Sequence, residues 1–273
     1  MKKFLLGTVG LAAMLASPAM AADMPVAAPP PPPVYYDWTG AYVGVNVGGI
    51  WSTVNQTFPN PLGLGPGPGS QNNLSTSPND GIVGFHAGAQ WQWGAWVLGV
   101  EAALSGCFNE CRETSGIIPG AFPVTNTYFQ HKITNLFTVG PRIGYAWDRW
   151  MIFATGGYAN ANLKSSQCFN FVAANAVNAP GPCDGPGTRF NGASRNSDGW
   201  YVGGGFDYMV HKGSLVDVIL GVEYQHYDVR SQNAFCFNPS CGAATGWDFD
   251  LDSKGDIVRA RLTIKSQGYR WWF

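Results

Sequence analysis

From Trp38 to Trp51 the chain alternates. Ala41, Val43, Val45 and Val47 fall on one parity and lead to Trp51, while Tyr42, Gly44, Asn46 and Gly48 fall on the other. A period of two places the first set on one face of a β-strand and the second on the opposite face. A solvated sandwich strand would carry Lys, Glu and Thr on its polar face. Glycine and asparagine suit the narrow polar interior of a barrel instead. The pattern returns along the chain. In residues 81–93, Val83, Phe85, Ala87, Ala89 and Trp91 oppose Gly84, His86, Gly88, Gln90 and Gln92. In residues 96–105, Leu98, Val100, Ala102 and Leu104 oppose Glu101. Further runs cover 132–147, 150–161, 200–210, 215–228 and 254–265. The run over 150–161 has no clear parity. In the last three, Asp207, Glu223, Arg259 and Arg261 fall on the inner parity.

The connections between runs also alternate. Gly94-Ala95, Asp148-Arg149 and Lys212-Gly213-Ser214 are tight turns, whereas 52–80, 106–126, 162–197 and 230–252 are long and rich in Pro, Gly, Asn and Ser. Short turns at one end and long loops at the other are the arrangement of outer-membrane barrels. The predicted fold is all-β: an eight-stranded antiparallel up-and-down transmembrane β-barrel with long external loops. Gly140-Pro141 stands inside the fourth run. Proline removes a ladder donor, so a kink is expected there.

Three motifs carry a family resemblance: WTGAYVG from Trp38, RIGYAWDRW from Arg142 to Trp150, and TGGYA from Thr155 to Ala159. With them the chain resembles the small alphaproteobacterial outer-membrane β-barrel family, a porin-like group related to OmpA-like transmembrane barrels. The resemblance implies a Pro-rich linker ahead of the first strand. It also implies a last strand ending in aromatic residues and a terminal Phe. Here Ile264-Lys265 is followed by SQGYRWWF over 266–273; these residues either continue the closing strand past a bulge at Gly268 or, the favoured expectation, form a tail at the periplasmic rim.

Composition supports this reading. Charged residues are only 12%, against 36 Gly, 11 Trp, 11 Tyr and 16 Phe. A soluble domain carries about 25% charged residues. The slight acidity of the chain gives no nucleic-acid surface. Lys2-Lys3, the apolar stretch to Ala16 and Ala19-Met20-Ala21 form an export signal with its cleavage site. The expected organisation is a signal peptide over 1–21, a Pro-rich periplasmic linker over 22–37 and a barrel over 38–273. The expected location is the outer membrane of a Gram-negative bacterium.

An exported chain with six cysteines favours disulfides. Six cysteines allow fifteen connectivities. The loop map makes pairing within loops the simplest: Cys107 with Cys111, Cys168 with Cys183, and Cys236 with Cys241. The spacings suit a metal site poorly, because they lack paired C-x-x-C and a nearby His.

No constellation for catalysis stands out. His86 reads as a polar residue of the interior. Glu101, Asp207 and Glu223 share the inner parity with Arg142, Arg259 and Arg261, and such charges should pair rather than form a carboxylate dyad. Asp248, Asp250 and Asp252 imitate the start of a calcium loop, but Ser253 and Arg259 stand where Gly and Glu are needed, so the stretch reads as a solvated loop edge. His226 is the one rim histidine, with no partner defined by sequence. The expected function is structural: a barrel whose lumen is filled by side chains and whose disulfide-tied loops face outward, with no enzyme activity and no cofactor. The alternatives are a narrow porin or a surface binding protein for haem or a host ligand, the latter implied by the family resemblance. Expected partners are outer-membrane lipid and lipopolysaccharide, the barrel assembly machinery, and an external ligand of unknown identity.

Overall fold

The computed structural model describes residues 36–57, 73–114, 118–122, 125–170, 188–231, 235–236 and 248–267. The expected export signal, most of the expected linker, Cys183, Cys241 and the expected tail from 268 onward lie outside them, as do the side chains of Cys168 and Cys236. Eight long strands form the wall: β1 (Gly40–Thr57), β3 (Asn79–Trp93), β4 (Trp96–Cys107), β7 (Thr125–Trp147), β8 (Trp150–Asn170), β9 (Thr188–Lys212), β10 (Val216–Arg230) and β12 (Asp248–Ser266). Four short strands decorate one end: β2 (Asn73–Thr76), β5 (Arg112–Thr114), β6 (Ile118–Phe122) and β11 (Phe235–Cys236). The long strands pair antiparallel in the order β12-β10-β9-β8-β7-β4-β3-β1, and β1 pairs with β12 from Tyr42↔Lys265 to Thr57↔Asp250. That seam closes the ring and removes its edges. No helix among the described residues is long and apolar enough to span a membrane.

Within the membrane band the alternation is as expected. Val43, Val45, Val47, Phe85, Leu98, Val100, Ile143, Ile152, Val222 and Leu262 point outward, while Asn46, His86, Glu101, Arg142, Glu223 and Arg261 point inward and are buried. Trp91, Trp93, Trp96, Tyr145, Trp147 and Trp150 ring the end with the tight turns, and Trp51, Tyr158, Trp200 and Tyr224 mark the other end. These are the two interfacial girdles.

Five long strands exceed the predicted runs considerably, the first reaching Thr57 rather than Trp51. The fourth run starts at Thr125 rather than Lys132, the fifth reaches Asn170 rather than Ala161, the sixth starts at Thr188 rather than Trp200, and the last starts at Asp248 rather than Lys254. Much of 162–197 is therefore wall, not loop. The calcium-loop look-alike at Asp248–Asp252 is also strand, paired with β11 at Asp248 and Phe249 and with β1 from Asp250. The physical reason is an inversion of polarity. Above Trp51, Tyr158 and Trp200 the outward face turns polar (Asn55, Asn160, Asn162, Asn196, Asp198, Asp228, Asp252), and the inward face turns apolar (Val54, Ala159, Ala161, Leu163, Val229, Leu251). Leaving lipid for water reverses which face must be greasy.

The expected break at Gly140-Pro141 takes a specific form. Pro141 faces lipid and keeps its place opposite Val100 of β4, but the β7–β8 ladder passes from Val139↔Tyr158 to Arg142↔Thr155, skipping both residues. A Cβ on Gly140 would overlap the carbonyl oxygen of Gly156, so the two strands meet there backbone to backbone. The ambiguous parity of residues 150–161 also has a cause. Met151 and Phe153 point inward although they are apolar, because each has an apolar or cationic neighbour inside the barrel.

Candidate functional site

The inward charges meet across the barrel axis at mid-height. Arg261 reaches two carboxylates on different strands: Nη2 donates to Glu101 Oε2 at 2.5 Å and Nη1 to Glu223 Oε2. Arg142 donates to Asp207 Oδ2 at 2.5 Å and lies 3.5 Å from Glu101. Arg259 Nε donates to Glu223 Oε2 at 3.1 Å. The Tyr42 hydroxyl donates to Glu101 at 2.8 Å, and the Arg142 guanidinium lies 3.7 Å over the ring of Phe153. His86 stands beside this cluster and exchanges a 2.8 Å hydrogen bond from Nε2 with Thr263. Six of the seven residues expected inside thus join one ion-paired network, and His86 is buried beside it.

Sequence reasoning missed four participants. Asp217 and Lys265 form a buried ion pair at 2.9 Å below the main cluster, and both lie on the inner parity of their strands. Tyr42 was legible in the same way. The alternation places Trp38 at the start of β1, yet it turns into the barrel mouth. There it is fully buried with Tyr36, Val97, Ala146, Met151, Met209 and Ile219. Its backbone is gripped from two sides: Trp38 N donates to Gln92 at 2.7 Å, and Gln90 donates to Trp38 O at 2.7 Å. Tyr36 accepts a 2.7 Å hydrogen bond from Arg149.

At the other end an apolar cluster fills the barrel above the network, including Ile50, Ile82, Phe129, Leu163, Tyr201, Tyr227 and Leu251. A polar island around His131 interrupts it. His131 of β7 is buried between Thr76 of β2 and Gln56 of β1, each at 2.8 Å from a ring nitrogen. Burial pushes its imidazole down to about 4.

The outer turn after β4 is held by the Cys107–Cys111 disulfide, with Cα atoms 5.4 Å apart. Asp80 organises it, accepting hydrogen bonds from the backbone of Asn109 at 2.6 Å and of Cys111 at 3.2 Å. Burial pushes the Asp80 carboxyl up, but these N–H donors outweigh it and hold the group below its ordinary value. Glu110 receives Lys132 at 2.7 Å and Arg112 at 2.6 Å, and these two hydrogen bonds bring its carboxyl down to about 2. Asp80 lies near both sulfurs. A disulfide has no thiolate to offer a metal, so this grouping reads as a braced turn. On the outer wall His226 does have a partner: its Nδ1 lies 2.9 Å from Asp256, which also accepts the Tyr224 hydroxyl at 2.6 Å.

A sequence profile described as outer membrane protein beta-barrel domain matches residues 9–251. The chain is 28% identical over 239 residues to the 31 kDa outer-membrane immunogenic protein of Brucella melitensis biotype 1, covering 85% of this chain and 89% of that protein. The same figures hold for the protein of that name from Brucella suis biovar 1. Among solved structures it is similar to Neisserial surface protein A (TM-score 0.31, 12% identity, 83% of this chain and 97% of that one). It is also similar to Ail, the attachment invasion locus protein of Yersinia pestis (TM-score 0.30, 12% identity, 82% of this chain and 99% of that one).

Proposed function

Because the chain belongs to the outer membrane protein β-barrel domain family and is an outer-membrane protein of a Gram-negative bacterium, we propose that it serves there as a closed structural barrel that displays braced surface loops. The observation that carries this reading is the interior network. Glu101, Asp207, Asp217 and Glu223 are matched by Arg142, Arg259, Arg261 and Lys265. Each sign has an opposite within ion-pair distance, so no field is left over to attract ions of one sign. Eight strands enclose a space that side chains can fill. Trp38 below and the apolar cluster above add two further barriers to the path. The braced turn supports display: the disulfide and the Asp80 hydrogen bonds fix its shape before any partner arrives, and rigid scaffolds with exposed loops commonly carry recognition. The Brucella relatives are named as immunogenic, which agrees with surface display. In this reading the protein is not an enzyme, and His226 serves a hydrogen bond at the girdle. Its partners are the surrounding lipid, the assembly machinery and whatever contacts the loops.

Planar bilayer recording tests the closed barrel. The wild-type monomer is expected to give no steady large conductance. Steady large channels from the purified monomer would overturn it.

A further inference from the structure

The wall above the outer girdle rises on one side. β8 and β9 run for 21 and 25 residues, whereas β4 ends at Cys107, three residues after the outward Leu104. On the raised wall, the outward face of β8 and β9 carries a ladder of polar side chains. Asn160 stands opposite Asp198, and Asn162 opposite Asn196. The rungs are joined: Asn160 Nδ2 donates to Asp198 at 2.7 Å, and Asn162 Nδ2 donates to Asn196 at 2.8 Å. Ser194 donates to Asn162 at 3.2 Å. At the foot stand Tyr158 and Trp200, paired across the strands and about half exposed, with the Tyr158 hydroxyl donating to Asp198.

Height decides what lies against this face. Trp150 marks the periplasmic girdle and Tyr158 the outer one. The segment between them rises roughly 20 Å at about 3.3 Å per residue and a tilt of about 40°. The apolar band of such barrels is about 25 Å tall. The ladder therefore begins where hydrocarbon gives way to headgroups. Its face continues the lipid-facing surface of the same two strands, so a lipid standing beside the barrel meets it sideways.

Chemistry narrows the lipid. Side-chain amides offer a donor and an acceptor on one group, which suits hydroxyls. The mutual hydrogen bonds hold the ladder in shape, so little ordering cost remains on binding. The aromatic faces at the foot can stack on the C–H face of a sugar ring. Lys164 stands opposite Ser194 on the same face, and the Asp198 carboxylate offsets its charge, so the ladder has no net charge and matches a phosphate dianion poorly. We propose that the β8–β9 ladder docks the uncharged saccharide headgroup of a glycolipid in the outer leaflet. This inference rests on the outer-membrane location and is independent of whether the lumen conducts.

The test compares wild type with the double variant Asn162→Ala, Asn196→Ala, each refolded into phosphatidylglycerol vesicles with and without digalactosyldiacylglycerol. The neutral glycolipid is expected to raise the thermal midpoint of wild type and to leave that of the variant unchanged. Free digalactose in solution is expected to shift neither. Equal stabilisation of both proteins, none of wild type, or an equal effect of the free sugar would each overturn the proposal. Should the variant fail to refold, saturation transfer from the side-chain amides of wild type to the sugar protons serves in its place. Transfer from Asn162 and Asn196 supports the proposal, and its absence sinks it.

Discussion

Glu101 holds the centre of the interior. It accepts from Arg261 and from the Tyr42 hydroxyl, and it lies 3.5 Å from Arg142. Taking its charge away leaves Arg261 shared with Glu223 alone and Arg142 with Asp207 alone, in surroundings where an uncompensated cation is costly. Glu101→Gln keeps the shape and should still cost about 3–5 kcal/mol, the usual penalty for breaking a buried pair. Lys254→Gln on the exposed outer wall should cost about 1 kcal/mol or less. Urea titration of the two refolded variants, followed by heat-modifiable migration, measures the difference. Equal midpoints would mean that the network contributes little to stability. Parity alone made the seven charged and polar residues of this interior legible, because a charge on the inner face of an eight-stranded ring has few places to go. Asp217 and Lys265 lie on the same parity, but at strand ends parity alone does not show whether a charge enters the lumen or meets water. Trp38 was not legible at all: nothing local distinguishes a tryptophan that anchors in lipid from one that folds back into the mouth.

At the scale of the strand, the alternating pattern served only where lipid lies outside. Once β8 and β9 pass Tyr158 and Trp200, small residues and asparagines replace the apolar outer series, and the stretch reads as loop. The inverted interior there brings its own liability in His131. Its imidazole has no carboxylate among its hydrogen-bond partners, and burial alone depresses it. The folded value of about 4 lies below the ordinary value of about 6.5. Between these two the unfolded state binds more protons than the native one. The stabilisation from neutral His131 is therefore complete above about pH 6.5 and is lost as pH falls toward about 4. Hydrogen exchange of the outer ends of β1, β2 and β7 should accelerate across that window, while the membrane band stays protected. In His131→Gln the acceleration should vanish. An unchanged pH profile in that variant would assign the effect to other groups.

For the molecule as a whole, the closing contact is between its two ends. β1 and β12 pair over Tyr42–Thr57 and Asp250–Lys265, and Lys265 donates at 3.0 Å to the carbonyl of Thr39, next to Trp38. The pocket that receives Trp38 is drawn from five strands, through Val97, Ala146, Met151, Met209 and Ile219. None of them is adjacent to it in sequence, so the pocket exists only when β4, β7, β8, β9 and β10 already stand in their final order. Burial of this one indole is thus a late checkpoint of assembly. A barrel with an open seam would leave it wet. During refolding, the fluorescence difference between wild type and Trp38→Phe should shift to the blue after strand content has reached its plateau. A shift that precedes the plateau would make the indole an early nucleus rather than the final bolt.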